Sequence, residues 1–412
     1  MMMKSISYIL SGLLWCSALA QPTSPRPLSN SELSVTTGST QFALELLHAT
    51  SLEAGRYMNV AISPISVWAV LALMREGAGG KTKSQLQTAL HLNENNRDIR
   101  NAYRKIDRTI HVVTDGVEMI GASALFTDPN RPVQWEFEYL ADNIYKAFIQ
   151  PVNFANTTGT VNFINRWVGN VTRNRITQLV HEEDMKDPHL VIASGNFFKG
   201  NWLLPFNSSN TITEKFYDDK GVELGEVQMM HQNSHFRYSR MTELGAKVVE
   251  LPYEGQQFSM LVVVPIGNTT IDELLERLTK TTMEKIYHRM TTEDEEFPDA
   301  FVEVFLPRVV INSDYVLNKA LEKLGIHDVF NDAKADLSGI SPHNIHLHKL
   351  IHKAEVVIDE EGTVASSATG GVMSERQQVP KIRANRPFAF FIVENSLKVI
   401  LYAGKVVNPH NM

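Results

Sequence analysis

Glu360-Glu361-Gly362-Thr363-Val364-Ala365-Ser366-Ser367-Ala368-Thr369-Gly370-Gly371 continues through Val372-Met373-Ser374-Glu375-Arg376-Gln377 and re-enters apolar sequence at Asn385-Arg386-Pro387-Phe388. Residues 354–358 before this stretch and 388–393 after it read as strands. Between them lie about two dozen residues without hydrophobic periodicity, and loops of that length inside a compact chain are usually functional or disordered. This loop lacks the acidic, basic or proline-rich composition of a disordered linker. Residues 363–374 carry no charge, and the first of them are small and β-compatible. Such a segment can lie in solvent in one state and in a sheet in another.

The surrounding chain has 412 residues of ordinary apolar and charged content. No Gly/Ser or Pro-rich run, charge block or internal repeat divides it, so one large domain over 38–412 is expected. A net charge of −7 gives no reason to expect nucleic acid. Residues 1–20 have the form of a secretory signal. Lys4 supplies the positive charge, 6–19 the apolar core, and Ala18-Leu19-Ala20 a small-x-small cleavage site before Gln21. That core is too short to span a membrane, and no later run approaches the roughly 20 apolar residues a span needs. The only cysteine, Cys16, falls in the signal, so a mature chain must rest on its core without disulfides. Sequons at Asn156, Asn170, Asn207 and Asn268 agree with an extracellular, glycosylated product. Residues 21–37, rich in Pro and Ser, read as a flexible segment.

Beyond that segment the pattern is helical early and extended late. Residues 42–47 look helical. Ser63-Pro64 opens a helix reaching Met74, since proline is tolerated in a first turn whose donors are unpaired anyway. Thr82-Lys83-Ser84-Gln85 reads as a capping box for a helix over 84–90. Over 96–111, Ile99, Tyr103, Ile106 and Ile110 share one helical face, and Arg97, Arg100, Arg104 and Arg108 share the opposite one. Residues 135–145, 161–171 and 315–324 read as helices. Residues 117–126, 190–198, 247–251, 258–264 and 301–311 read as strands. Helices before strands, without βα alternation, predict an α+β fold.

Catalytic signatures are missing. There is no Gly-x-Ser-x-Gly elbow, phosphate-binding Gly loop or His-Glu-x-x-His helix, and no local spacing couples a nucleophile to a base. The chain does not read as an enzyme and calls for no cofactor. His343, His346, His348 and His352 raise a metal question, because on a strand the last three would share a face. Hydrogen bonding to hydroxyls or backbone carbonyls, without metal, is the preferred reading. The arginine stripe, with Lys105 beside it, suits a sulfated polysaccharide through forked guanidinium contacts. Asp98 and Asp107 dilute its field, and a solvated helix face is preferred.

Asn59-Val60-Ala61-Ile62-Ser63-Pro64-Ile65-Ser66, followed by Gly77-Ala78-Gly79-Gly80-Lys81-Thr82 and Gln85-Leu86, resembles the early core of serpins, the serine protease inhibitor family. So do Phe197-Phe198-Lys199-Gly200-Asn201-Trp202, Ala335-Asp336-Leu337-Ser338-Gly339 and His352-Lys353-Ala354. Asp359-Glu360-Glu361-Gly362-Thr363, Asn385-Arg386-Pro387-Phe388 and Ala403-Gly404-Lys405-Val406-Val407-Asn408-Pro409 complete the ordered set, which covers 42–409 without a large insertion. The resemblance implies three β-sheets, eight or nine helices and an exposed reactive-centre loop over about 362–383. It also implies a suicide mechanism. A protease forms an acyl-enzyme on the loop, the loop's first half inserts into the central sheet, and the dragged enzyme is distorted before deacylation.

Gly362, Thr363, Val364, Ala365, Ser366, Ser367, Ala368 and Thr369 match the family's inhibitory hinge. Read on their own, Thr363, Ala365, Ser367 and Thr369 would alternate onto one buried face, where a charge would be costly and none is present. Family loops are cut after the fourteenth residue beyond the hinge glycine, which places the reactive bond between Arg376 and Gln377. Arginine there suits trypsin-like proteases, with a carboxylate at the base of the specificity pocket. Lys381 and Arg383 are rival cleavage points, and Met373 would attract chymotrypsin-like enzymes. Ser63, Ser66 and His352 match the cluster that controls sheet opening, with Ser194 where asparagine is usual. Trp202, Arg308 and Glu360 match the region where the loop first inserts, Arg308 replacing the commoner lysine. The loop and signal resemble secreted invertebrate serpins that restrain cascades in melanisation and immunity. The other class kept open is a non-inhibitory serpin acting as carrier, chaperone or storage protein.

Overall fold

The computed structural model describes residues 28–93, 95–110, 116–186, 188–298, 300–361 and 379–410. The expected signal, the hinge over 362–369 and the bond between Arg376 and Gln377 lie outside the described residues.

Three sheets organise the chain. A five-stranded sheet runs in the order β11 (Val309–Val316), β12 (Lys349–Ile358), β4 (Leu190–Gly200), β2 (Val117–Thr127) and β3 (Phe148–Pro151). A six-stranded sheet runs β1 (Val60–Ile62), β15 (Val399–Val406), β14 (Phe388–Glu394), β9 (Phe258–Pro265), β8 (Ala246–Pro252) and β7 (Tyr238–Met241). The third joins β13 (Lys381–Arg383), β10 (Val302–Pro307), β6 (Glu223–Ser234) and β5 (Ile212–Tyr217). With the helices described below, the fold is α+β as expected.

In the five-stranded sheet β4 pairs antiparallel with β2 but parallel with β12, over a ladder from Lys349↔Val191 to Val357↔Lys199. Both faces of β4 are covered, and apolar residues stand on both of them in Leu190-Val191-Ile192-Ala193 and Phe197-Phe198. Leu190, Ile192 and Phe198 join the main core, which includes α2 (Pro64–Glu76). Val191 and Ala193 join a second cluster with Ile164 and Val168 of α6 (Thr157–Val171). A Cβ at Gly195 would lie 2.8 Å from Val168 Cγ2, so α6 rests on nearly bare backbone there.

Several local expectations change. The N-terminal segment is helical from Asn30 onward, in α1 (Asn30–Ala54), rather than flexible to residue 37. Ser29 Oγ accepts from the Glu32 N–H and Glu32 Oε2 from the Ser29 N–H, a reciprocal cap that starts the helix. The helix α3 (Gly80–Ala89) begins without a side-chain cap. Thr82 and Gln85 instead clamp a distant loop, Thr82 Oγ1 accepting from the Asp336 N–H and Gln85 Oε1 from the His327 and Asp328 N–H groups. The expected strand over 301–311 divides at Arg308 into β10 and β11, in two different sheets. The expected helix over 315–324 shortens to α9 (Asn318–Lys323), because Tyr315 and Val316 pair with His352 and Ile351.

The remaining helices are α4 (Asn96–Ile110), α5 (Trp135–Leu140), which passes into a π-helical turn at Ala141–Tyr145, α7 (Ile271–Leu278) and α8 (Met283–Glu296). No helix among the described residues is long and apolar enough to cross a membrane.

Candidate functional site

At the end of β12 the chain turns over the end of β4 before entering the long loop. Trp202, just beyond β4, is buried and donates from Nε1–H to Asp359 O at 2.8 Å and from its backbone N–H to Glu361 O at 3.4 Å. Its indole stacks on Tyr253 with centroids 4.6 Å apart. Lys199 Nζ pairs with Asp359 at 3.0 Å and also with Glu361. Glu360 accepts from Thr211 Oγ1 at 2.8 Å and lies 3.7 Å from Arg308 at the β10–β11 junction. Desolvation pulls the Lys199 ammonium down, but hydrogen bonds to Glu361 and Asp359 outweigh it and leave its pKa raised. The hydrogen bond from Lys199 holds Glu361 below the usual carboxylate range. Trp202, Arg308 and Glu360 therefore gather at the end of β12. Lys199 and Asp359 lie inside motif blocks of the resemblance, but their roles here, and that of Thr211, come only from the geometry.

Along the same strand pair, His352 stands in register with Ser194. His352 is fully buried, and its Nε2 accepts the Ser63 N–H at 2.9 Å. Nδ1 then carries the ring proton and has no partner among the described residues. Burial pushes the imidazole pKa down to about 3, so the ring is neutral. Ser66 Oγ donates to Ser63 O at 2.8 Å, fixing the first turn of α2. Ser194 Oγ accepts from Ser123 Oγ at 3.1 Å and from Asn196 Nδ2 at 3.0 Å. The amide missing at position 194 is thus supplied two residues on, on the same face of the strand. Ser123 is not legible because its contact crosses from β2 to β4, and Asn196 because its bond to Ser194 needs the strand to be extended.

The other candidates separate. On α4, Arg100 forks over Glu76 with two 2.9 Å bonds, and Lys105 lies 3.6 Å from Glu32. Arg97, Arg104 and Arg108 remain exposed. The stripe is therefore not one open surface, since Arg100 is drawn inward by a carboxylate that is 1% exposed. Asn156, Asn170, Asn207 and Asn268 are all exposed. His343, His346 and His348 precede β12, and only His352 lies on the strand, so the expected shared face does not form.

The five-stranded sheet thus has two neighbouring strands, β4 and β12, running parallel, with buried His352 tying β12 to the start of the core helix α2. The family profile described as Serpin (serine protease inhibitor) matches residues 37–409, and the chain belongs to the serpin family. The human "Leukocyte elastase inhibitor" is 31% identical over 384 residues, covering 91% of this chain and 99% of that protein. The Bos taurus "Plasma serine protease inhibitor" is 33% identical over 379 residues, covering 90% of each. The solved structure of native protease nexin-1 with heparin aligns with a TM-score of 0.79 at 26% identity, covering 92% of this chain and 99% of that one.

Proposed function

We propose that this serpin is a secreted, monomeric suicide inhibitor of trypsin-like serine proteases. The observation that carries the reading is the parallel β4–β12 pair beside the loop that follows β12. A segment turning back at Gly362 enters between those strands antiparallel to both. One parallel ladder is exchanged for two antiparallel ones, the more stable arrangement per residue. The uncharged stretch over 363–374 is long enough to run the ladder's length.

The protease serine attacks the Arg376 carbonyl, the bond to Gln377 breaks, and the new amine leaves with the C-terminal side. The ester to Arg376 persists as the loop inserts and carries the enzyme with it. Trp202, Lys199 and Glu360 hold the loop's root, while Ser63, Ser66, Ser194 and His352 govern how readily the strands part. Mixing with trypsin should give an adduct that survives boiling in detergent and a released chain beginning at Gln377. Cleavage without an adduct and without a rise in thermal stability would support the carrier, chaperone or storage reading instead.

The signal, the exposed sequons and the loop support action in an extracellular cascade of the melanisation or immune type. Recovery of product beginning at Gln21 from the medium of expressing cells tests secretion. A sulfated polysaccharide would meet Arg97, Arg104 and Arg108, a reading favoured by the heparin in the protease nexin-1 structure.

A further inference from the structure

We propose that His189, His346 and Asp332 bind a divalent transition-metal ion that clasps β4 to the segment ahead of β12. Their ligand atoms all lie within 4.8 Å of one another. His346 Nδ1 and Asp332 Oδ1 are already 3.2 Å apart, close to the roughly 3.3 Å between donors of a tetrahedral zinc ion. The rings of His189 and His346 meet edge to face at 5.4 Å, and side-chain rotation at half-buried His189 closes the remainder. Two imidazoles and one carboxylate suit zinc, with water at the fourth position.

The backbone presents these ligands from three segments. His189 directly precedes β4, and the His348 N–H donates to Leu190 O at 2.9 Å, which sets the His346 segment beside it. The Leu347 N–H donates to Val329 O at 2.9 Å, and Asn344 Nδ2 donates to Asp332 O at 3.2 Å, which holds the Asp332 turn against both. The run of histidines in the sequence thus contributes one ligand, and its partners come from elsewhere in the chain.

The site lies at the end of the β4–β12 ladder remote from Glu361. Inserting a strand would widen the separation there from about 4.8 Å to about 9.6 Å, too far for one ion to bridge. Bound metal therefore holds the far end of the sheet shut, a consequence that rests on the inhibitory reading, whereas the metal site does not.

Zinc added to the full-length protein should bind one per chain by calorimetry. At a hundredfold excess over Kd it should raise Tm by roughly 3 °C. It should also slow amide hydrogen exchange over 346–350. Asp332→Asn, at a side chain 64% exposed, should weaken zinc by about tenfold or more without affecting folding, and His346→Gln should do likewise. Absence of stoichiometric zinc, or wild-type affinity retained in both variants, overturns the site. Binding with unchanged exchange overturns the clasp. Neither measurement uses a protease, so a protein that binds zinc here but traps no enzyme sinks the inhibitory reading and leaves the site standing.

Discussion

Lowering the pH from about 7.5 to about 5 should cost the native protein about 2 kcal/mol through His352 alone. Burial holds this imidazole near a pKa of about 3, against 6.5 in the unfolded chain. Between those values the unfolded state binds a proton that the folded state refuses, so stability falls as pH drops. At about pH 5 the term is RT ln(1 + 10^1.5), about 2 kcal/mol, and at about pH 7.5 it is under about 0.1. Below the folded pKa the loss levels off at about 4 to 5 kcal/mol. Other groups titrate over the same range, so the measurement is a difference. Wild type and His352→Gln are unfolded in urea at both pH values, and their stabilities are subtracted. The gap between them should shift by about 2 kcal/mol in favour of the glutamine variant as pH falls. A gap that stays constant would refute the assignment of a neutral, desolvated ring to His352.

Four further outcomes are expected. Thr363→Glu should turn the inhibitor into a substrate, seen as cleavage without adduct on a denaturing gel, because a carboxylate cannot enter the closed sheet face without a cost of several kcal/mol. Arg376→Leu should abolish trapping of trypsin and confer trapping of a chymotrypsin-like enzyme, read from inhibition rates with each. Arg100→Ala should destabilise the fold by about 3 kcal/mol in urea unfolding, because buried Glu76 loses its main charge partner. Replacing Arg97, Arg104 and Arg108 by alanine together should remove heparin-column retention while changing stability by less than about 1 kcal/mol.

The fold could be read where motifs or periodicity are local. The apolar start of β4, Leu190-Val191-Ile192-Ala193, and the apolar turns of α2 announce burial, and the ordered motif blocks identify the family. What escaped was decided by partners far along the chain. Thr82 and Gln85 look like a cap but serve residues 328 and 336. Residues 301–311 look like one strand, yet the strand changes sheets at Arg308. At the loop's root, Trp202, Arg308 and Glu360 were legible through the family pattern. Lys199's double pairing depends on where β12 ends, which no spacing reveals. Asn196's bond to Ser194 becomes visible only once β4 is extended and its alternate side chains align.

The contact between Gly195 and Val168 has a consequence for time rather than for specificity. Were β4 to part from β12 as proposed, any shift of β4 against α6 would pass Val168 Cγ2, which lies 2.8 Å from where a Cβ at Gly195 would stand. If the loop inserts as proposed, the fit of Val168 against Gly195 should bear on how long the uninserted form lasts. Shape changes at Val168 should therefore alter the inhibitor's shelf life, leaving its choice of protease untouched.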